Sequence, residues 1–315
     1  MYGSGMRVCL MIEGQEGVTW DEWVALARAC EEHGLDALFR SDHYLSFGNE
    51  GVDGSHDAWA TINALAMVTE RIRLGTLVSP ATFRHPSNLA NLATTADHVS
   101  GGRVELGMGA GWFRREHDAF GFPFPDDATR MRMLAEQLAI VHGLWTEDRF
   151  SFGGEHFTLD DVPALPKPVQ RPHPPLIMGG SAGPKSVRLA ARFADEYNSH
   201  SVDPAELRLR KTRVEQAFEA EGRDPASVRY SVMTRVLVGA DEAEYAAKAR
   251  AEGMDPDQER ARHGETWFGG TADEVVERLH RFAEAGCDGV MLQHIAHRDL
   301  EMVALIGREI APRVR

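Results

Sequence analysis

The sequence has few cysteines, no long apolar run, no basic stripe and none of the short motifs of zinc-hydrolase or serine-hydrolase chemistry. Its three cysteines, Cys9, Cys30 and Cys287, lie far apart within apolar segments, with no C-x-x-C pair among them. They are read as reduced core residues, which points to the cytoplasm. No uninterrupted apolar stretch approaches the ~20 residues needed to span a bilayer, and the first residues lack the charged and apolar regions of a secretion signal. No membrane partner is expected. The formal charge is −14, whereas a phosphate backbone requires a basic surface, so nucleic acid is not an expected partner either. H-E-x-x-H and H-x-x-E-H are absent, Met11-Ile12-Glu13 offers no His-x-His, and there is no G-x-S-x-G elbow. A metal site is not expected.

What is present centres on Arg103 to Gly121. Val104, Leu106 and Met108 share one parity of a strand, while Glu105, Gly107 and Gly109 share the other. Glycines leave one strand face bare at its carboxyl end, open to the approach of something flat, and Gly111, Trp112, Glu116 and His117 follow at once. The spacing is G-x-G-x-G, and Trp112 stands where the dinucleotide fingerprint would need its third glycine. A packing strand with small residues would carry the same spacing.

Helix and strand signals alternate along the chain. Met6 to Glu13 is a near-continuous apolar run, as in a parallel strand covered on both faces. Thr19-Trp-Asp-Glu22 is a capping box opening a helix that stops at Gly34, and a strand is predicted from Leu35 to Ser41. Further helices are predicted over Thr61–Glu70, His85–His98 and Asp127–Trp145, and strands over Arg73–Val78, Arg103–Met108 and Leu176–Met178. One junction repeats: Gly34-Leu-Asp-Ala-Leu-Phe39 echoes Gly286-Cys-Asp-Gly-Val-Met291, with Ala194-Asp-Glu-Tyr-Asn198 a looser copy. Strands beginning near Met6, Leu35, Arg73, Arg103, Leu176, Glu196, Arg229 and Gly289 make eight, favouring a (β/α)8 TIM barrel over an open doubly wound sheet. Two insertions interrupt the rhythm. After the fourth strand, Phe150 to Phe157 suggests a hairpin around Gly153-Gly154, followed by a proline-rich segment to Pro175. After the seventh, a charged helical pattern from Asp241 to Ala261 delays the next unit, which restarts at the Thr271 N-cap. With no linker or low-complexity segment, residues 6–315 are expected to be one domain, with 1–5 an N-terminal extension.

Barrel chemistry sits after the carboxyl ends of the strands. There the sequence places Glu13, Ser41-Asp42-His43, Leu77-Val78-Ser79, Trp112 with Glu116 and His117, Met178-Gly179-Gly180-Ser181, Asn198-Ser-His200 and Gln293-His294. Gly179 and Gly180 permit close backbone approach, Ser181 can cap and Pro184 suits a first helical turn, so this loop is a candidate anion cradle. Asp42-His43 reads as an acid/base pair, as a hydrogen-bonded strand end or, the weakest of the three, as metal ligands with His56 and Asp57.

Ser41-Asp-His43, Leu74 to Pro86, Ser100 to Trp112, Glu116-His117, Leu144-Trp145 and Pro166-Lys-Pro168, in order from about Met6 to Ile310, resemble the bacterial luciferase-like flavin superfamily, and more narrowly its coenzyme F420-dependent oxidoreductases. The resemblance implies a (β/α)8 barrel with a deazaflavin at the carboxyl-terminal mouth, against a third-strand bulge with a non-proline cis peptide near Leu77-Val78 or Val78-Ser79. It implies cofactor contacts from Asp42, His43, Leu77, Val78, Ser79, Gly109, Gly111, Trp112, Met178, Gly179, Gly180 and Ser181. Hydride transfer would take place to or from a small organic substrate, with His43 handling the proton and Glu13, Glu116 and His117 as further candidates. Some relatives place a glutamate directly after the glycines, where this sequence has Trp112. A homodimer, and an F420 or flavin reductase as partner, are implied too. FMN is the alternative cofactor, in a monooxygenase. A metal-dependent hydrolase using Asp42, His43 and His56, and a cofactor-free binding barrel, are competing readings. Substrate is expected to meet the loops Ser46–Asp57, Phe113–Asp126 and His200–Asp203.

Overall fold

The structure, a computed structural model, describes residues 5–48 and 54–315. β1 (Arg7–Ile12), α1 (Trp20–Glu32), β2 (Ala37–Arg40), α2 (Ala58–Val68), β3 (Arg73–Pro80), α3 (Pro86–Ser100) and β4 (Val104–Gly109) alternate as the sequence suggests. α4 (Arg114–Phe120), α5 (Asp127–Thr146) and an antiparallel pair, β5 (Arg149–Gly153) and β6 (Thr158–Pro163), precede β7 (Leu176–Gly179). α6 (Pro184–Phe193), β8 (Glu196–His200), α7 (Pro204–Ala220) and β9 (Arg229–Gly239) follow. The chain continues through α8 (Glu242–Ala251), α9 (Pro256–His263), β10 (Phe268–Thr271), α10 (Ala272–Glu284) and β11 (Gly289–His294) to α11 (Leu300–Leu305), a π-helical turn (Ile306–Ile310) and α12 (Ala311–Val314).

Eight strands close into a ring in the order β1, β2, β3, β4, β7, β8, β9, β11 and back to β1, every pair parallel. This is the expected (β/α)8 barrel. β1 is buried along its whole length, as its unbroken apolar run requires. Thr19 and Glu22 form the predicted capping box of α1.

The repeated aspartate junction has a mechanical role. Asp36, Asp195 and Asp288 each stand just before a strand, and each makes a paired bond to the neighbouring strand. The Val8 amide donates to the Asp36 carboxylate at 2.8 Å, while the Asp36 amide donates back to the Val8 carbonyl at 3.0 Å. The same exchange joins Leu176 with Asp195 (2.8 and 2.9 Å) and Tyr230 with Asp288 (2.7 Å both ways). Each aspartate carbonyl then accepts the amide of an arginine: Asp36 from Arg73, Asp195 from Arg229 and Asp288 from Arg7.

Those three arginines turn into the barrel and converge on two buried glutamates. Arg7 reaches Glu105 at 2.8 Å and Glu196 at 3.3 Å, Arg229 reaches Glu196 at 3.1 Å, and Arg73 bonds Glu105. Glu105 is fully buried. Burial pushes its carboxyl up, but the guanidiniums of Arg7, Arg73 and Arg229 outweigh that and hold it well below the usual carboxylate range. Above this plug lies an inner apolar layer that includes Cys9, Met11, Phe39, Leu77, Ile177 and Met291.

Four local expectations are corrected. Gly107 and Gly109 do not leave a bare face for a ligand: a Cβ on Gly107 would lie 2.2 Å from the Thr76 carbonyl oxygen, and one on Gly109 would lie 2.6 Å from Val78. The irregular pairing of β3 between Thr76 and Ser79 fills that space. The hairpin turns through Gly154 to Phe157 rather than at Gly153-Gly154, because the Glu136 carboxylate on α5 accepts the amides of Glu155, His156 and Phe157 at 2.7 to 3.0 Å. The adjacent Gln137 side chain donates to the carbonyls of Ala81 and Arg84, at 2.7 and 3.0 Å, in the loop after β3. Phe268 to Thr271 is not only a helix start but also a ninth parallel strand, paired with β9 from Val236 to Gly239. The charged pattern after β9 breaks at Gly253, which has φ +72°, into two helices.

Glu105→Gln leaves three guanidiniums facing one remaining carboxylate, and is expected to cost about 3–5 kcal/mol of unfolding free energy. Because the folded carboxyl is depressed, its contribution is complete above the unfolded value of roughly 4.3 and is lost as pH falls below it. Urea unfolding between pH about 7 and about 3 should therefore show a shallower acid loss in the variant than in wild type.

Candidate active site

A cavity of about 840 Å³ opens at the carboxyl ends of the barrel strands. That lies within the range of small-molecule and cofactor sites. Glu13, His43, Leu77, Val78, Gly111, Trp112, His117, Gly179 and Gly180 line it, together with Ser41, Asn198, His200 and Gln293, so thirteen of the residues singled out from sequence are brought together.

His43 follows β2 in a stretch without regular structure, and its position depends on one buried carboxylate. Glu116, in the first turn of α4, is fully buried. One of its oxygens meets His43 Nδ1 at 2.8 Å; the other accepts the amides of Leu45, at 3.1 Å, and Tyr44. The imidazole lines the cavity, and its Nε2 has no hydrogen-bond partner among the described residues. Phe47, Trp112 and Phe113 surround the ring edge-on, with centroids 5.1 to 6.0 Å away. Trp112 is 63% exposed, which makes it a wall of the mouth rather than part of the core. Glu116, a catalytic candidate by sequence, does not reach the cavity; it positions His43.

His117 is turned the other way on the same helix. Its ring nitrogens meet Thr82 Oγ1 at 2.6 Å and the Phe113 carbonyl at 2.8 Å, so only a ring edge borders the cavity. Burial pulls its pKa down, outweighing the Phe113 carbonyl and Glu116. Glu13 lines the cavity while accepting bonds from Gln15, at 2.8 Å, and Gln293.

Three expected cofactor contacts lie behind the wall. Asp42, Ser79 and Met178 are each about 1% exposed and none borders the cavity. Ser79 donates to Asp42 at 2.7 Å and accepts from Trp59 at 3.0 Å, while Arg84 bridges Asp42 and Asp57. Burial raises the Asp57 carboxyl, but the Tyr44 hydroxyl and Arg84 outweigh it and hold the group at about 2. This network supports the bulge from beneath, where the Leu77-Val78 peptide is cis. Gly109 and Ser181 also lie off the cavity wall. Ser181 does not cap α6: the N-cap is Gly183, without a side-chain bond, and Ala182 donates its amide to the Tyr197 hydroxyl at 3.0 Å. Gly180 has φ +140°, a conformation that side-chain-bearing residues rarely adopt. Among the described residues no group of three or more His, Cys, Asp or Glu could hold a metal ion.

Sequence reasoning missed much of the far wall. Met11, Met233 and Arg235 line the cavity from inside-facing strand positions, a placement that strand parity could have revealed. Met254, Glu259, Arg262, His263, Thr266 and Trp267 come from the insertion between β9 and β10, for which the sequence carried only a delay in rhythm. Of the loops expected to meet substrate, Phe47, His117, His200 and Ser201 reach the cavity, while residues 49–53 lie outside the described residues. His294, grouped with the strand-end polar residues, points away: it is buried, with Nε2 meeting the Asp299 carbonyl at 3.1 Å. No helix among the described residues is long and apolar enough to cross a membrane.

Residues 6–289 match the family model described as luciferase-like monooxygenase. The chain is 27% identical to the FMNH(2)-dependent dimethylsulfone monooxygenase of Pseudomonas putida, over 99% of this chain and 93% of that one. It is 29% identical to the F420-dependent glucose-6-phosphate dehydrogenase of Microbacterium testaceum, over 90% of each. The solved structure of an F420-dependent secondary alcohol dehydrogenase, in complex with an F420-acetone adduct, has the same fold: TM-score 0.82 over 99% of both chains, at 23% identity.

Two outcomes test this geometry. Glu116→Ala strands the Tyr44 and Leu45 amides, so hydrogen exchange over residues 44–47 should quicken by roughly 1–3 kcal/mol of lost protection, with Glu116→Gln closer to wild type. Burial lowers the His294 pKa to about 4. The unfolded chain therefore takes up this proton first, and stability that is complete above about pH 6.5 falls as pH approaches the folded value, by at most roughly 3 kcal/mol. Chemical denaturation should show a flatter pH dependence in His294→Gln between pH about 7 and about 5.

Proposed function

Since the chain belongs to the luciferase-like monooxygenase family, we propose that it is an F420-dependent oxidoreductase that moves a hydride between the deazaflavin and a small organic substrate. The observation that carries this reading is the meeting, in one cavity, of an imidazole oriented by a buried carboxylate with a glycine loop leading to an uncapped helix start. Relatives named as F420-dependent, matching along 90% of this chain, favour the same cofactor.

The residues present fit such a group. The cavity is large enough for a tricyclic ring and a small substrate together. Leu77, Val78, Gly111 and Trp112 would hold the ring, and Gly179, Gly180 and the first-turn amides of α6 would take the phosphate of its tail. When bound, the deazaflavin supplies a carbon that accepts or donates a hydride. The protein's part is orientation and a proton: Glu116 fixes Nδ1 of His43, which leaves Nε2 free to hold or pass a proton at the cavity. Glu13, tethered by two glutamine amides, is the second candidate. The working unit in this reading is residues 6–315, paired as a homodimer.

A second reading, an FMN-dependent monooxygenase fed by a separate flavin reductase, is favoured by the monooxygenase relative that matches 99% of this chain. Fluorescence titration with F420 and with FMN separates the two. Under the first reading the wild type binds F420 saturably and FMN at least about tenfold more weakly, and His43→Ala weakens F420 about tenfold. Tight binding of FMN alone would transfer the assignment to the second reading; binding of neither would overturn both.

A further inference from the structure

Two guanidiniums line the cavity in a state that contrasts with their surroundings. Arg235 and Arg262 are exposed to the cavity, and neither has a hydrogen bond or ion pair among the described residues. The carboxylates facing the same space are occupied: Glu13 by Gln15 and Gln293, and Glu259 by His263 at 3.2 Å. On the same helix as Arg262, Arg260 faces outward and is fully engaged, with Glu242 at 2.6 Å and Glu274 at 3.0 Å. Both stand in the cavity wall of a chain whose formal charge is −14.

Their placement follows from the fold. Ser231, Met233 and Arg235 alternate on the inner face of β9: Ser231 bonds Glu196 in the plug, Met233 borders the cavity, and Arg235 stands next above it. Arg262 descends from α9 in the insertion. In the ring order β9 is the seventh strand and β3 the third, so the arginines stand across the barrel from the Leu77-Val78 bulge. The glycine loop after β7 lies two strands away from them, with His200 of β8 between.

Resting on the deazaflavin reading, we propose that Arg235 and Arg262 form an oxyanion subsite for the substrate, which carries a carboxylate or phosphate group. A ring against the β3 side, with its tail toward the β7 loop, leaves the β9 side to the substrate. A guanidinium pair suits an oxyanion through bidentate, charge-assisted hydrogen bonds, and unpaired cations in a recessed mouth draw anions out of an acidic surface field. The insertion thereby sets substrate class, while the loops after β2, β3 and β7 set the cofactor.

Inorganic phosphate is the probe, read by quenching of Trp112 and Trp267, both in the cavity wall. It is titrated at constant ionic strength into unloaded and F420-loaded protein, in wild type, Arg235→Ala/Arg262→Ala and Arg235→Lys/Arg262→Lys. Saturable quenching in both wild-type forms is expected, weakened at least about tenfold in the alanine variant and partly kept in the lysine variant, with F420 affinity changed by less than about twofold. A phosphate response equal in all three proteins overturns the subsite. A tenfold loss of F420 affinity in the alanine variant, with phosphate competing against F420, overturns its assignment to substrate and gives the arginines to the cofactor's anionic tail. Failure of F420 to bind the wild type removes the cofactor reading alone, because the titration of unloaded protein still tests the arginines.

Discussion

Five charged side chains closed inside the amino-terminal end of the barrel set the terms for the rest of the molecule. Arg7, Arg73 and Arg229 arrive from β1, β3 and β9, and Glu105 and Glu196 from β4 and β8, so one network ties strands from every side of the ring. Buried ions of this kind contribute little beyond what an apolar plug of equal volume would give, yet each is costly to leave alone. The arrangement therefore favours the closed ring in the register that pairs all five. The aspartate exchanges at the strand entries act on the same end, fixing each strand to its neighbour by two bonds rather than one. Both devices lie at the amino-terminal end, and the opposite end carries the loops of the cavity.

At that opposite end, the irregular stretch after β2 is held by two separate anchors. Glu116 grips the backbone at Tyr44 and Leu45 while orienting His43, and the Arg84 bridge fastens Asp42 to Asp57 beneath. The first anchor reaches in from α4, the second from the loop after β3. An imidazole on a flexible segment would sample many orientations; here its rotation is fixed by a fully buried carboxylate.

Much of this was legible in the sequence, and the failures have physical causes. The eight strands, the Thr19 cap and the repeated aspartate junction follow from local pattern, because each is encoded within a few residues of itself, whereas the position of the β3 bulge was implied by the family resemblance. Glu105 was not legible. It shares a strand face with Gly107 and Gly109, and only the closed ring shows that the carboxylate meets three arginines distant in sequence while the glycines make room for Thr76 and Val78. Asp42 and Ser79 belong to the right motif, but they are buried behind the wall, where Ser79 bonds Asp42 and Trp59. The strand at Phe268 to Thr271 was hidden by its two glycines, which depress strand propensity although β9 is long enough to pair with them. The insertion's contribution to the cavity was invisible for a similar reason: its residues show helix periodicity, and nothing local says which end of a barrel a helix will cover.

α5 has a consequence beyond its place in the ring. Neighbouring residues on one rigid element, Glu136 and Gln137, hold the tip of the β5–β6 hairpin on one side and the loop after β3 on the other. Farther along the helix, Arg130 donates to the Gly111 carbonyl at 3.2 Å. The helix works as a lever arm with the outer surface at one point of attachment and the cavity wall at two more. The exposed hairpin and the loops beside the reaction space thus share one rigid support, so the hairpin belongs to the framing of the site as well as to the decoration of the barrel.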